Sequence, residues 1–219
     1  MTMRHLTLAD EIVVLMLDDS VGELKPAVMP VANVAIMGGV LMELSLMGRL
    51  DSDLQALFAV DTTPTGDSLL DDVLSQIATS TVPHPSTWWI ETLSRNRAEL
   101  PEQILERLAT AGILRREDRR FLWFFSTRAY PPVSGQEEQE ALARLTEVLF
   151  NNQTPAPRDT LLLGLAAATG ALEKILSDHA MAQAAPRIAD IVRLEEIGRA
   201  VSTVAGLIWD TQGPATIIA

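Results

Sequence analysis

Leu108–Phe125 reads LATAGILRREDRRFLWFF: the end of a helix, a glycine, a charged segment and a run of large apolar side chains. Gly112 stands where a glycine typically closes a helix. Ile113–Leu114 then predicts the start of a strand, Glu117–Asp118 lies near a turn, and Phe121–Ser126 predicts the return strand. A helix, a glycine and two strands in this order form the outline of a winged helix.

The rest of the chain is predicted to be helical, apart from a short extended segment at Arg49–Val60. Apolar periodicity and local caps predict nine helices. The first follows the N-cap Thr7 and runs to Leu17, and another begins at Trp88. The other predicted helices are Val31–Leu46, Ser68–Ala78, Pro101–Ala111, Gly135–Phe150, Arg158–Ser177, Ala180–Val192 and Leu194–Ile208. The predicted fold class is therefore mostly α: a single helical domain over 1–219 with a projecting hydrophobic β-hairpin. Residues 1–5 and 213–219 are expected to be loose.

The charge of the chain is strongly acidic but unevenly distributed. The formal net charge is −12, and clustered cations are what non-specific nucleic-acid binding requires. Most of the cations are arginines, and they concentrate between Arg95 and Arg128. Because the chain as a whole is strongly acidic, no nucleic-acid partner is expected. The absence of cysteine excludes disulfides and thiol chemistry.

Neither a signal peptide nor a bilayer-spanning segment is expected, because the apolar runs are short or interrupted. The predicted location is cytoplasmic, at most peripheral on the inner face of the membrane. Catalysis is not expected either. His5, His84 and His179 are far apart in the sequence, and no phosphate-binding loop or nucleophile elbow is present. The sequence thus predicts no catalytic residue, no metal site and no cofactor.

The aromatic run leaves two interpretations open. Alternate residues of a two-stranded ribbon share a face, so Phe121, Trp123 and Phe125 would point one way and Leu122 and Phe124 the other. A small hairpin cannot bury both faces, which leaves one set for a membrane, an oligomer or a protein partner. Complete burial against the helices is the alternative. Exposed aromatic residues beside arginines are typical of a membrane-interface anchor.

Several motifs, in order, resemble those of the Golgi phosphoprotein 3 family. They are Leu6–Ile12, Leu41–Leu50, Pro64–Asp71, Trp89–Leu93, Leu108–Leu114, Phe121–Phe124 and Arg158–Leu163. The resemblance extends over almost the whole chain. It implies a mostly helical fold with a projecting hairpin, in a non-enzymatic peripheral membrane protein that binds phosphatidylinositol 4-phosphate. In eukaryotes the family retains glycosyltransferases in the Golgi as an adaptor, so the resemblance also implies protein clients and self-association through the hairpin.

The chain departs from the family at the lipid pocket, which the resemblance builds from a tryptophan and several arginines. Met37 stands where an arginine precedes the glycine of the central helix, and Val28 stands near the tryptophan position. Ala98 and Pro101 fall at the remaining arginine positions. The composition, with arginine over lysine, much alanine and no cysteine, is typical of a high-GC bacterium such as an actinobacterium, which has no Golgi.

The leading hypothesis is docking on anionic phospholipid, phosphoinositide-like by resemblance. The residues expected to contact lipid phosphates are Arg95, Arg97, Arg115, Arg116, Arg119 and Arg120. The residues expected to insert or to self-associate are Phe121, Leu122, Trp123, Phe124 and Phe125. The alternatives are a protein-interaction or homo-oligomerisation module with no lipid role and, with less support, a winged-helix nucleic-acid binder.

Overall fold

A computed structural model describes residues 6–53, 55–95, 97–121, 125–151, 155–194 and 196–212. The predicted mostly α fold is confirmed over these residues. The helices are α1 Leu8–Met16, α2 Ala32–Leu46, α3 Ser68–Thr79, α4 Ser86–Arg95, α5 Leu100–Thr110, α6 Gln136–Phe150, α7 Pro157–Ala168, α8 Asp178–Leu194 and α9 Glu196–Gln212. The antiparallel strand pairs are β1 Leu17–Asp18 with β2 Glu23–Leu24, β3 Leu50–Ser52 with β4 Leu57–Ala59, and β5 Glu117–Phe121 with β6 Phe125–Ala129. The predictions for 1–5 and 213–219 lie outside the described residues.

Helix α2 is the centre of the core, and α1, α4, α7 and α9 pack around it. Two adjacent glycines permit this close packing. A Cβ placed at Gly39 would lie 2.8 Å from the backbone nitrogen of Ala9 on α1. A Cβ at Gly38 would lie 2.5 Å from Val201 Cγ2 on α9. The glycine pair therefore sets the distance from α2 to helices on two sides.

By length and composition, the segment Met29–Leu46 could also cross a membrane, with a mean hydropathy of 1.5. In the fold, however, 72% of this segment is buried. Helices that are apolar on all sides and covered by neighbours are typical of the centre of a large core. The surrounding helices thus account for the apolar character of α2.

The predicted helix Arg158–Ser177 is wrong in its C-terminal part. Helix α7 ends at Ala168, and a separate 3-10 turn follows at Leu172–Lys174. Between them Gly170 has φ +70°, a left-handed conformation that cannot continue a right-handed helix. Apolar residues continue at helical spacing past Gly170, so the sequence pattern did not indicate that the helix ends there.

The predicted hairpin is present, but its turn was placed wrongly. Glu117–Asp118, predicted near a turn, opens strand β5 and pairs with Ala129 and Arg128. The last described pair is Phe121 with Phe125, so β5 continues to Phe121 and β6 begins only at Phe125. Charged residues are compatible with these strands because the ribbon packs little against the core, and Arg115 forms an ion pair with Glu117.

The tip residues Leu122, Trp123 and Phe124 lie outside the described residues. So do the side chains of Arg119, Arg120, Phe121 and Phe125. The open choice between exposure and burial of the aromatic run therefore stays a prediction. What the described backbone establishes is that the run spans the end of the ribbon rather than one strand.

The first turn of α1 carries two buried carboxylates, Asp10 and Glu11, each only 5% exposed. Arg107 of α5 donates to Asp10 Oδ1 from Nε at 2.9 Å, and to Asp67 Oδ2 from Nη1 at 2.8 Å. Asp67 is also the N-cap of α3, where it accepts from two backbone N–H groups. One guanidinium thus joins the starts of α1 and α3 to α5.

Glu11 forms further ion pairs at the start of α1. We use the name buried ion cluster for the seven residues that these pairs connect: Asp10, Glu11, Glu43, Asp67, Arg107, Arg144 and Arg158. Glu11 accepts from Arg144 of α6, and its Oε2 accepts from Arg158 Nε of α7 at 3.1 Å. Arg158 also donates from Nη1 to Glu43 Oε2 of α2 at 2.9 Å, and Glu43 accepts in turn from the Leu8 backbone N–H at 2.8 Å. Buried carboxylates are tolerated in a fold when they are paired in this way.

We expect Gly39→Ala to lower the free energy of unfolding by about 1–3 kcal/mol, because backbone atoms of α1 cannot move away from the new methyl group. Gly206→Ala on α9 is the matched control, since a Cβ there meets nothing within 4 Å. Alanine at that site should be neutral or stabilising by up to about 1 kcal/mol through helix propensity. Denaturant unfolding measures both, and equal effects would contradict the packing argument.

We expect Arg158→Ala to destabilise the protein by about 3 kcal/mol, because it leaves Glu43 without its guanidinium partner and weakens the pairing of Glu11. Arg187→Ala removes an exposed arginine of α8 and should cost less than about 0.5 kcal/mol. Chemical denaturation of the three proteins makes the comparison. A similar loss from both variants would show that the cluster does not hold the helices.

Candidate functional site

Two glutamates on α5 attach the hairpin to the helical body. Glu102 and Glu106 are one helical turn apart, and both lie near the phenol of Tyr130, just after β6. The Tyr130 hydroxyl lies 2.5 Å from Glu102 Oε1 and 3.0 Å from Glu106 Oε1. Arg128 Nη1 donates to Glu102 Oε1 at 3.0 Å, and Arg116 Nη1 lies 3.0 Å from Glu106 Oε1. We call these five residues the hairpin clamp.

The electrostatics of the clamp keep the phenol protonated. Burial raises the pKa of Tyr130 well above its ordinary value, and the two carboxylates raise it further. The Arg128 guanidinium has its pKa raised in turn, chiefly by the hydrogen bond to Glu102. Tyr130 therefore keeps its single O–H as a hydrogen-bond donor, and this proton lies between the two glutamates, with Glu102 Oε1 the nearer acceptor. Together with Arg116 and Arg128, it ties both strand ends to α5.

Of the six arginines predicted to contact lipid phosphates, Arg119 and Arg120 have side chains outside the described residues. The other four separate into two groups. Arg115 and Arg116 lie at the hairpin base, paired with Glu117 and with the clamp residue Glu106. Arg95 and Arg97 are elsewhere. Arg95 is exposed and pairs with Glu91 one turn earlier on α4, and Arg97 pairs with Asp72 of α3. The latter two line neither of the clefts described below.

A cleft of about 400 Å³ lies beside the clamp, and we call it the hairpin-base cleft. Its apolar walls come from the β1–β2 region, the turn before α2, and α5. Its polar groups are contributed by Glu23, Asn33, Glu102, Arg128 and Tyr130. The complete lining is Gly22, Glu23, Leu24, Met29, Pro30, Ala32, Asn33, Ala98, Pro101, Glu102, Leu105, Arg128 and Tyr130.

Most of the chain matches the model of a known protein family. The model of the family described as Golgi phosphoprotein 3 (GPP34) matches residues 8–207. The chain belongs to the Golgi phosphoprotein 3 family. The match includes the helices of the buried ion cluster, the hairpin and the whole hairpin-base cleft, so the family assignment and the fold rest on the same residues.

The family resemblance places the phosphoinositide headgroup at positions that this chain fills differently. Val28 and Met37 are buried in the core and offer no cation. Ala98 and Pro101 do line the hairpin-base cleft, but Glu23 and Glu102 line it with them. A polyanionic headgroup would meet two carboxylates and a single arginine there. The residues present do not fit a phosphoinositide headgroup.

Sequence reasoning missed most of the polar groups of this cleft. Glu102 and Glu106 are spaced four residues apart on α5, which places them on one helix face, and that spacing was the available signal. Arg128 lies in β6, and Tyr130 follows the end of that strand directly. Asn33 gave no signal, because its role follows only from where α2 meets α4.

A second cleft, of about 730 Å³, opens between the starts of α1 and α3 and the ends of α2 and α5. Its charged groups include Asp10, Glu43, Asp67, Arg107 and Arg158. All five belong to the buried ion cluster, where each contributes to interhelical pairing. This cleft is the solvent-facing side of a structural network.

A carboxyl pair adjoins the hairpin base on its other side. The turn between β1 and β2 contacts the base directly, since the Tyr130 backbone N–H donates to Gly22 O at 2.6 Å. On the same turn Asp19 is hydrogen-bonded to Glu138 of α6. Burial and Asp19 together raise the pKa of Glu138 to about 7, while Lys25 opposes the shift. The Glu138 carboxyl therefore stays protonated in mildly acidic solution.

This pair makes stability depend on pH in a defined direction. The folded protein holds the Glu138 proton up to about pH 7, whereas the unfolded chain releases it near 4.5. Stability from the pair is thus present at low pH and is lost as the pH rises through this window. Glu138→Gln should raise the free energy of unfolding by about 1 kcal/mol near pH 8 and change little near pH 5, with the size reduced by solvent screening.

Glu137→Gln is the control for this prediction, because it removes a neighbouring charge from the same first turn of α6. It should lack the pH dependence. Thermal or urea unfolding across the pH range gives both values. A stability gain that is equal at both pH values would show that the fold does not raise the pKa of Glu138.

Proposed function

We propose that this protein is a non-catalytic, peripheral protein that docks on anionic membrane surfaces through the β5–β6 hairpin. The observation that carries the proposal is an exposed set of arginines at the hairpin base in a protein of net charge −12. The side chains of Arg115, Arg116 and Arg128 are 66%, 45% and 51% exposed. They stand beside a ribbon that ends in an aromatic run.

The ion pairs of these arginines do not oppose docking. Exposed ion pairs contribute about 0–1 kcal/mol, so a lipid phosphate can replace Glu117 or Glu106 at small cost. Each arginine near an anionic leaflet contributes about 1 kcal/mol. Three or four such exchanges, together with Arg119 and Arg120 further along β5, are sufficient for reversible membrane binding.

The aromatic residues of the tip would add burial of apolar surface to the same contact with the membrane. The two strands of five residues extend about 16 Å from the hairpin base. Leu122, Trp123 and Phe124 would then reach below the headgroup region while the arginines stay among the phosphates. The proposed location is the cytoplasmic face of a membrane, with anionic charge rather than one phosphoinositide as the recognised feature.

One observation also favours self-association. The β5–β6 sheet has two strands over the described residues, so both of its edges are open. Open strand edges can pair with a second chain. Sedimentation at micromolar concentration tests this candidate, and a monomer would contradict it. A nucleic-acid role is not favoured, because α5 presents Glu102 and Glu106 at the hairpin.

We expect flotation with phosphatidylcholine vesicles to require added phosphatidylglycerol and to weaken as salt is raised, because surface charges are screened. Arg115→Gln should reduce the affinity about fivefold, the value of one phosphate contact. Arg187→Gln on α8 removes the same charge away from the hairpin and is the matched control.

The double variant Trp123→Ala/Phe124→Ala tests insertion separately from charge. We expect it to bind anionic vesicles more weakly than the wild-type protein at every salt concentration, because apolar burial is not screened. Flotation of the two proteins to the same extent would remove insertion from the proposal. Failure of the wild-type protein to bind any anionic vesicle would contradict docking itself.

A further inference from the structure

We propose that Asp19 and Glu138 form a pH-sensitive latch that holds the base of the β5–β6 hairpin to α6, closed while Glu138 is protonated and released when Glu138 is ionised. The hairpin clamp attaches the ribbon to α5, and the latch is a second attachment on another side of the base. The latch itself does not depend on membrane docking, whereas its effect on docking rests on the proposed function.

The turn between β1 and β2 is tightly hydrogen-bonded, so that its residues move together. The Asp18 carbonyl accepts from the backbone N–H groups of Val21 at 3.2 Å and of Gly22 at 2.7 Å. The Asp18 carboxylate accepts from the Ser20 backbone N–H at 2.9 Å. A displacement of Asp19 is therefore passed on to Gly22, three residues further along the turn.

Gly22 is the point at which this turn meets the hairpin. Its carbonyl accepts from the Tyr130 backbone N–H at 2.6 Å. A Cβ at Gly22 would lie 2.5 Å from the Pro131 nitrogen, so the two backbones are in direct contact. The φ of +69° at Gly22 also favours glycine over other residues. The turn cannot move without disturbing the residues that follow β6.

The segment that follows β6 holds the start of the hairpin as well as its end. The Arg115 backbone N–H donates to Pro131 O at 2.8 Å, just before β5 begins. The Val133 backbone N–H donates to Ile113 O at 2.9 Å. Both ends of the ribbon are thus attached to one short segment, and one face of that segment contacts the β1–β2 turn.

The same segment leads directly into α6, which carries Glu138 in its first turn. Gly135, the N-cap of α6, lies near Asp19, since a Cβ at this glycine would be 4.0 Å from Asp19 Oδ2. The hydrogen bond between Asp19 and Glu138 therefore closes a ring of contacts. The ring runs from the β1–β2 turn through the segment after β6 into α6 and back to the turn.

Protonation decides whether this link attracts or repels. A protonated Glu138 donates its O–H to the Asp19 carboxylate, which is a charge-assisted hydrogen bond. An ionised Glu138 has no proton to donate and places a second negative charge at the same contact. Burial and Asp19 raise the pKa of Glu138 to about 7, and Lys25 acts in the opposite direction. The latch is therefore closed below this pH and weakens as the pH rises through it.

Other charged groups around α6 have partners of their own or lie at its far end. The described groups on this helix and on its neighbours are Asp18, Asp19, Glu23 and Lys25 at β1–β2, Asp10 and Glu11 of α1, Arg158 and Asp159 of α7, Asp178, His179, Arg187 and Asp190 of α8, and Glu137, Glu140, Arg144 and Glu147 of α6. Glu11 and Asp159 pair with Arg144, less than two turns beyond Glu138. Arg187 lies at Val148 O, near the opposite end of α6. Asp19 and Lys25 are the groups that act on the Glu138 charge.

Amide hydrogen exchange of the full chain tests the latch directly, because the Tyr130 N–H makes one of its bonds. Rates at about pH 5.5 and pH 8.5 are divided by those of an unstructured peptide, which removes the direct effect of pH. The change from 4.5 to about 7 corresponds to a factor of about 300 at full strength. Because solvent screens the pair, we expect the protection of Tyr130 to fall about tenfold at the higher pH.

Two latch variants and one control assign this change to the carboxyl pair. Glu138→Gln keeps an N–H donor for Asp19 at every pH, and Asp19→Asn removes the opposing charge. Each should give Tyr130 the same protection at both pH values, while Glu137→Gln should behave like the wild-type protein. Unfolding curves confirm that the variants are folded. The latch is overturned if the wild-type protein shows no pH effect or if both latch variants keep it.

The fully buried Val40 of α2 distinguishes a local latch from unfolding of the whole chain. We expect the Val40 N–H to exchange more slowly than the Tyr130 N–H at both pH values, because the latch opens while the core remains folded. Equal protection of the two amides would show that the hairpin base is released only by global unfolding, and this result would also overturn the latch.

Flotation with phosphatidylglycerol vesicles at the two pH values tests the effect on docking. We expect about threefold tighter binding at the lower pH, because release of the base reduces the fraction of molecules whose hairpin is held for docking. Glu138→Gln should bind equally at both pH values, and Glu137→Gln should keep the difference. Equal binding by the wild-type protein would overturn the effect on docking. Absence of binding at either pH would contradict the docking itself, and hydrogen exchange would still decide the latch.

Discussion

The arrangement of the helices depends on two carboxylates that the sequence places in the first turn of a fully buried helix. Asp10 and Glu11 favour that turn electrostatically because it is the positive end of α1. Once α1 is buried, however, each carboxylate needs a cation. Arginines from α5, α6 and α7 meet this need, and each can do so only if its helix passes close to the start of α1. The close approach of α1 to α2 at Gly39 is compatible with the same arrangement.

The hairpin-base cleft contains carboxylates and an arginine, as the buried ion cluster does, but its polar groups are not fully paired with one another. In the buried ion cluster the arginines and carboxylates satisfy one another. At the cleft the balance is incomplete, since Glu102 has a free oxygen and Asn33 an unpaired one among the described residues. Core positions that a phosphoinositide pocket would use are filled by Val28 and Met37. The family fold is thus retained, while the side chains at these positions differ from those that the resemblance implies.

Much of the fold could be predicted from sequence because its signals are local. Thr7 caps α1 and Asp67 caps α3 as expected, and residues close in sequence determine those contacts. The hairpin turn was misplaced because Glu117–Asp118 looks like turn sequence, whereas a ribbon that packs little against the core accepts charges. The cleft could not be predicted, since Asn33, Glu102 and Arg128 meet only after α2, α5 and β6 have packed.

Helix α5 has two attachments on neighbouring residues. Glu102 and Glu106 bind the hairpin, and Arg107 binds Asp10 and Asp67 in the core. Helix α5 therefore connects the hairpin base to the buried ion cluster through its side chains. A force that acts on the hairpin five residues from its base would have a lever arm of about 16 Å. Part of the resulting torque would pass through α5 to the start of α1, where Arg107, Arg144 and Arg158 pair with Asp10 and Glu11.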